Sequence, residues 1–316
     1  MDAELAKEVI QCLPKHRTLF RYYKGHFANL LLSFVGEHYQ TVSSLKNSPF
    51  QRLTTHPEVK AVLASRGDGR LNAADFMQVW HEPSYCFRLT VGCWEGLDSR
   101  YDQVSRRGLN LVLQLNFSNQ HNELYKTLYK PTQPDVFNYS GHPVASSNQG
   151  SNDEETLAWA RIDLDEGLNE ALIEEIQSDW VREAKWEAAR IERYKKRNLI
   201  ASGYLSKANQ QNRLRYLNEV MAPYYTLWQE VMLAATLWFI FRELGIARIY
   251  THTPEGGGLV KRIAYRQPPR SIYSTLPKRF CFQKCSDPPG FLATHTPYKR
   301  LAKKRQIIWQ KVQLAA

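Results

Sequence analysis

The chain has 316 residues, 43% hydrophobic and 23% charged, with 8 Trp, 17 Tyr and 13 Phe; that is enough to fill a sizeable core and excludes a disordered or low-complexity protein. The formal net charge of +11 points to a polyanionic partner wherever the charge is concentrated. The longest apolar run, Val231 to Phe241, is too short to span a bilayer, which takes about 20 residues. Asp2 and Glu4 follow Met1, the opposite of a secretory start, and the cysteines (Cys12, Cys86, Cys93, Cys281, Cys285) are odd in number and scattered. A cytoplasmic protein of one or two domains, with no membrane segment, is expected.

Residues 1–82 read as a helical N-terminal region. Asp2 to Cys12 is amphipathic, and His16 to Glu37 carries an apolar face through Leu19, Phe20, Tyr23, Phe27, Leu30, Leu31 and Phe34, which predicts one long helix. A further helix is expected over Pro57 to Ser65, capped by Thr55. Asp68-Gly69-Arg70-Leu71 with Asp75 echoes half of a calcium-binding loop. Ala64 and Arg66 fall at its first ligand positions and cannot ligate, so a plain turn is expected.

From residue 83 onward the pattern becomes that of a mixed α/β (α+β) domain, 83–316. Tyr85 to Val91 and Leu109 to Phe117 alternate and are rich in β-branched and aromatic residues, as strands are. Gly141 to Glu155 is Ser/Asn/Gly-rich and reads as a loop. Leu157 to Leu164 and Glu170 to Ser178, joined by Asp165-Glu166-Gly167, form an antiparallel hairpin. A charged helix, Trp180 to Lys196, and a polar segment, Arg197 to Arg215, lead to an apolar helix from Tyr224 to Leu244 that stops at Gly245. Ala247 to Thr253 is a buried strand, Glu255-Gly256-Gly257-Gly258 a flexible turn, Leu259 to Tyr265 a short helix, and Ile272 to Lys284 a loop entering a strand. The basic C-terminal segment, 259–316, holds thirteen Lys or Arg and one acid, Asp287, a local net of +12. Such a segment draws phosphates, of nucleic acid or of a nucleotide cofactor. Its aromatics (Tyr265, Tyr273, Phe280, Phe282, Phe291, Tyr298, Trp309) are either core or platforms for bases. No metal site is expected from Cys281, Cys285 and His295.

The densest chemistry lies in Ile173-Glu174-Glu175-Ile176-Gln177-Ser178-Asp179-Trp180. Strict alternation places Glu175, Gln177 and Asp179 on one face and Glu174, Ile176 and Ser178 on the other. A row of polar groups on a strand between apolar neighbours predicts a cleft wall. The second cluster is Thr251-His252-Thr253-Pro254-Glu255-Gly256-Gly257-Gly258, at the end of the next strand, where ligands of open α/β sheets gather. Both segments end neighbouring strands, so Glu175, Gln177 and Asp179 are expected to line one cleft with His252.

IEEIQSDW, preceded by LAWARIDLDEG and followed by LWQEVMLAATLWFIFRELGIARIYTHT, resembles a module of unknown function in large polyvalent proteins of phages and mobile elements, over roughly Leu157 to Thr253. The order of elements also resembles the GNAT acyltransferases, with Tyr273, Leu276, Phe280 and Phe282 standing where that family enters its last strands. That resemblance implies acetyl-CoA as acyl donor, Glu175 as base and Tyr273 as proton donor to the thiolate, with Gln177, Asp179 and His252 beside them. Thr251, Thr253, Gly256, Gly257 and Gly258 would contact the cofactor. The family's Arg/Gln-x-x-Gly-x-Gly/Ala phosphate loop does not follow the strand. The same strings are similar to the PD-(D/E)xK nuclease core, which implies Asp163 and Glu175 around Mg²⁺, with Gln177 in place of the usual lysine. A non-catalytic nucleic-acid or protein adaptor is the third reading.

Overall fold

The computed structural model describes residues 1, 3–12, 18–35, 41–95, 108–133, 136–139, 141–145, 155–165, 167, 169–196, 207–263 and 269–314. Parts of the expected features fall outside them: residues 2, 16–17 and 36–37 of the N-terminal helices, the hairpin-turn residue 166, the loop at 146–154, and the polar segment at 197–206. The short helix expected over Leu259 to Tyr265 does not form in its described part: Leu259 and Val260 end the helix that starts at Pro254, and Lys261 and Arg262 turn away.

The described strands form one sheet: β1 (Thr18–Tyr23), β2 (Ser84–Glu95), β3 (Leu109–Asn116), β4 (Thr156–Asp165), β5 (Glu170–Gln177), β6 (Arg248–His252), β7 (Gln283–Cys285) and β8 (Trp309–Gln313). Their order is β1-β2-β3-β4-β5-β6-β8-β7. Every neighbouring pair is antiparallel except β5 and β6. The mixed α/β, mainly antiparallel architecture is therefore as expected.

The N-terminal helices are α1 (Ala3–Cys12), α2 (Phe27–Val35), α3 (Val42–Lys46), α4 (Pro57–Ala64) and α5 (Ala73–Met77). The long helix expected over His16 to Glu37 is instead β1, a turn and α2. Phe20 and Tyr22 are buried while Leu19 is 62% exposed, a period of two that a helical reading hides. Gly25, with φ of +93°, makes the turn, and a Cβ there would stand 3.1 Å from the His56 ring. This region is not a separate helical unit. Phe20, Tyr22, Phe27, Leu31, Phe34 and Phe76 share one hydrophobic core with β2 to β5. Thr55 does not cap α4 either: its hydroxyl bonds the Arg52 carbonyl, and Pro57 opens the helix. At the turn after α4, Asp68 accepts from the Arg70 N–H, and Asp75 accepts from Asn72 in a capping box.

The later helices are α6 (Asn119–Leu124), α7 (Asp179–Lys196), α8 (Lys207–Arg215), α9 (Tyr224–Trp238), α10 (Pro254–Val260), α11 (Arg270–Tyr273), α12 (Thr275–Arg279), α13 (Gly290–Ala293) and α14 (Thr296–Ala302). Helix α9 is buried from Leu227 to Leu237 save Gln229, and crosses β3, β4 and β5; Gly245, with φ of +66°, ends the helical stretch that extends it. Trp180 is core. Its Nε1 donates to the Tyr216 hydroxyl at 3.1 Å among Phe117, Tyr125 and Phe137. The opposite face of the sheet carries a smaller core of Leu172, Tyr250, Phe291, Leu292, Tyr298, Ile307 and Trp309. The basic segment is thus part of the fold. Its aromatics Tyr273, Phe280, Phe282, Phe291, Tyr298 and Trp309 are all buried, so they are core and not base platforms. No described helix is long and apolar enough to cross a membrane.

Candidate functional site

The site arises where β5 parts from β6. Their parallel pairing runs from Glu170/Arg248 to Ile173/Thr251 and stops, although β5 continues to Gln177 against β4. The register with β4 also slips here: Ile162 faces Ile173 but Arg161 faces Glu175, leaving Glu174 as the extra residue of a β-bulge. The bulge breaks the alternation. Ala171, Ile173 and Ile176 belong to the main core and Leu172 to the opposite one, while Glu174 and Glu175 both reach Lys261. The expected separation of Glu174 from Glu175 onto opposite faces is therefore corrected. The two carboxylates sit together.

Lys261, just past α10, fills the gap between the strands. Its ammonium donates to the Glu174 carbonyl at 2.5 Å and lies 3.4 Å from the Glu175 carboxylate. Arg161 on β4 pairs with the other Glu175 oxygen at 2.9 Å, and His252 Nε2 meets Glu174 at 3.0 Å. Burial pushes both glutamates up, but cationic and hydrogen-bonding neighbours outweigh it. The His252 hydrogen bond, then Lys261 and Arg161, hold Glu174 well below the usual carboxylate range; Lys261 and Arg161 lower Glu175 against burial and the charge of Glu174. Burial lowers His252 and Lys261 against the pull of the carboxylates. A neutral imidazole donating from Nε2 to an ionised Glu174 satisfies these directions. The remaining nitrogen, Nδ1, is buried without a partner, and a Cβ on Gly257 would stand 4.0 Å from it.

Above this charged plug opens a cleft of about 910 Å³, a size suited to a cofactor-sized ligand. Glu175, Gln177, His252, Thr253 and Tyr273 line it, as do Gly257 and Gly258. Thr251 is behind the wall, its hydroxyl on the Ile173 carbonyl. Gly256 packs inward, where a Cβ would meet the Ile308 carbonyl at 2.7 Å. The glycine run is not a flexible turn: it forms α10, capped by the Thr253 hydroxyl accepting from the Gly256 N–H at 3.0 Å. Arg182, Lys185 and Arg270 add positive charge to the cleft wall.

Asp179 is not in the cleft wall. It opens α7 and turns toward β4, where its Oδ2 meets His142 Nδ1 at 2.7 Å. Gln177 and Arg182 donate to its Oδ1 at 2.9 and 2.7 Å. Burial raises the Asp179 carboxyl, and the His142 hydrogen bond, with Gln177 and Arg182, more than offsets it. The His142 ring lies among Tyr139, Trp94 and Trp159 at centroid distances of 4.9 to 6.0 Å. Asp163, the partner of Glu175 in the nuclease reading, faces Leu172 across the strands, and its Oδ1 accepts from the Met1 nitrogen.

Comparison with known proteins finds no matching family model, no matching curated protein and no matching solved structure. The site residues that sequence reasoning missed are Arg161, Lys261, Glu174 and His142. A lysine soon after a glycine-rich helix start is a faint signal for Lys261; none marks His142.

Proposed function

We propose that the cleft is the acyl-donor site of a cytoplasmic, GNAT-like acyltransferase that takes an acyl thioester of the acetyl-CoA class. The observation that carries this reading is the parallel pair β5/β6, whose pairing ends at Ile173/Thr251 and leaves a cleft at the carboxyl ends of both strands. The β5 edge from Glu174 to Gln177 has no strand beside it on the β6 side among the described residues, and such an edge suits an extended amide-bearing arm. Lys185 offers charge to phosphates, and Arg182 and Arg270, paired with Asp179 and Glu255, would share theirs. Helix α7 starts with Asp179 and Ser178 caps its first turn, so phosphates are assigned to these side chains and not to the helix end.

Bound acetyl-CoA would supply an activated acyl group. Burial first, then the charge of Glu175, pushes the Tyr273 hydroxyl far above its usual value; it keeps its proton and suits hydrogen bonding to a departing thiolate, not full transfer of the proton to it. Glu175, held by Arg161 and Lys261, is a weak proton acceptor and is assigned to holding the strands' divergence. The exposed Lys299, Arg300, Lys303, Lys304 and Arg305 form a separate surface for a polyanion.

Titration calorimetry with acetyl-CoA, and separately with a DNA duplex, tests the assignment. Saturable acetyl-CoA binding that Arg270→Ala weakens is expected. Salt-sensitive duplex binding with no response to acetyl-CoA would overturn it.

A further inference from the structure

His142 and Asp179 form a second acid–imidazole pair on the β4 side of β5, and its construction is that of an oriented base. Asp179 has 1% of its side chain exposed and cannot turn, since Gln177 and Arg182 hold one oxygen while the other meets His142. Nδ1 lies 2.7 Å from the Asp179 carboxylate and 3.3 Å from the Gln177 amide nitrogen; the shorter contact, to an ionised acceptor, places the ring proton on Nδ1 and leaves a lone pair at Nε2. That nitrogen has no hydrogen-bond partner among the described residues, and the side chain is 22% exposed. His252 is the opposite case: its Nε2 is bound to Glu174 and its Nδ1 is sealed. His142 itself is outside the cleft lining; Gln177, which lines the cleft and bonds Asp179, is the one side chain between them. The groups facing the ring are Asp179 and Arg182 from α7, Gln177 from β5, Trp94 and Trp159 from the sheet with Arg161 stacked on Trp94, and Tyr139 from its own loop.

We infer that His142 is the general base of this site, with Nε2 taking a proton from an amine acceptor that enters past the exposed Tyr139 ring. The inference rests on the acyl-transfer reading. The proton count closes: the amine gives one proton to His142 as its C–N bond forms, the thiolate that leaves as the C–S bond breaks is hydrogen-bonded by Tyr273 and takes one from solvent, and His142 returns its proton to solvent. General bases contribute about a hundredfold or more to such steps.

Nitrogen NMR of the full chain without ligand reads the His142 tautomer. The Nδ1–H tautomer is expected, with Asp179→Asn reducing its share. Thiol release from acetyl-CoA is followed with a set of primary amines. His142→Gln, a change on a loop, should slow release about a hundredfold or more while acetyl-CoA affinity holds, and imidazole should restore part of the rate to His142→Ala. An Nε2–H tautomer, turnover by His142→Gln at the wild-type rate, or acetyl-CoA binding without thiol release overturns the inference alone. Failure of the wild-type chain to bind acetyl-CoA overturns the acyl-transfer reading and the inference with it.

Discussion

Glu174 meets His252 with both side chains at most 1% exposed, whereas Asp179 meets His142 with the carboxylate buried and the imidazole open to solvent. The two pairs lie five residues apart along one strand end, yet they answer to different physics. Around Glu174 and Glu175 the acids are matched by Arg161 and Lys261, and each removes a charge that the low-dielectric interior would otherwise penalise. Around Asp179 the donors fix one acid so that a neighbouring ring points one way. The first cluster fills the gap between two diverging strands; the second leaves one imidazole nitrogen without a hydrogen-bond partner among the described residues.

The sharpest way to break this contrast is Lys261→Met. It strands two ionised glutamates beside one arginine and should cost about 3–5 kcal/mol in chemical denaturation. A variant that unfolds like the parent would show that the plug carries no structural burden. Acid provides the second test. His121, lowered to about 3 by burial, and His26, lowered to about 4 by burial, stay neutral in the fold and protonate on unfolding. Their depressed values mean that stability is full above the ordinary imidazole value of about 6.5 and falls as pH drops below it, by about 2 kcal/mol for each between pH 7 and 5. His252 shifts in the same direction, so the closed pair adds to this loss. Denaturation midpoints unchanged from pH 7 to 5 would contradict neutral burial. Smallest is Glu175→Gln, which keeps the shape and removes one charge. About 1–3 kcal/mol should be lost, with the Arg161 and Lys261 sides both affected. A loss of activity with no loss of stability would instead return Glu175 to a direct chemical role.

Much of the scaffold around the site is legible in the residues. Leu157 to Leu164 and Glu170 to Ser178 alternate around a strong turn, and they form β4 and β5. The apolar helix and its glycine stop are equally plain in Val231 to Phe241 and Gly245. What stays hidden depends on partners far along the chain. The bulge at Glu174 is set by the register with β4, and no local pattern announces that the period of two breaks there. Leu19 to Tyr23 fits a helical stripe until β2 claims it as an edge strand. Gly256 to Gly258 has poor helix propensity, but Thr253 and Pro254 start a helix, and the close approach of Ile308 and His252 leaves room only for hydrogen atoms. His142 lies in a stretch whose composition says only loop; its chemistry comes from Asp179, 37 residues later.

Strand β8 lies between β6 and β7, though both precede it in the chain. During synthesis, β6 and the helix that ends in Tyr273 are made well before Gln310, the residue whose amide ties the His252 carbonyl to the Tyr273 carbonyl at 2.7 and 2.9 Å. Until that amide arrives, the two walls of the cleft lack this strut, and the order of translation makes this end of the sheet the last to be completed.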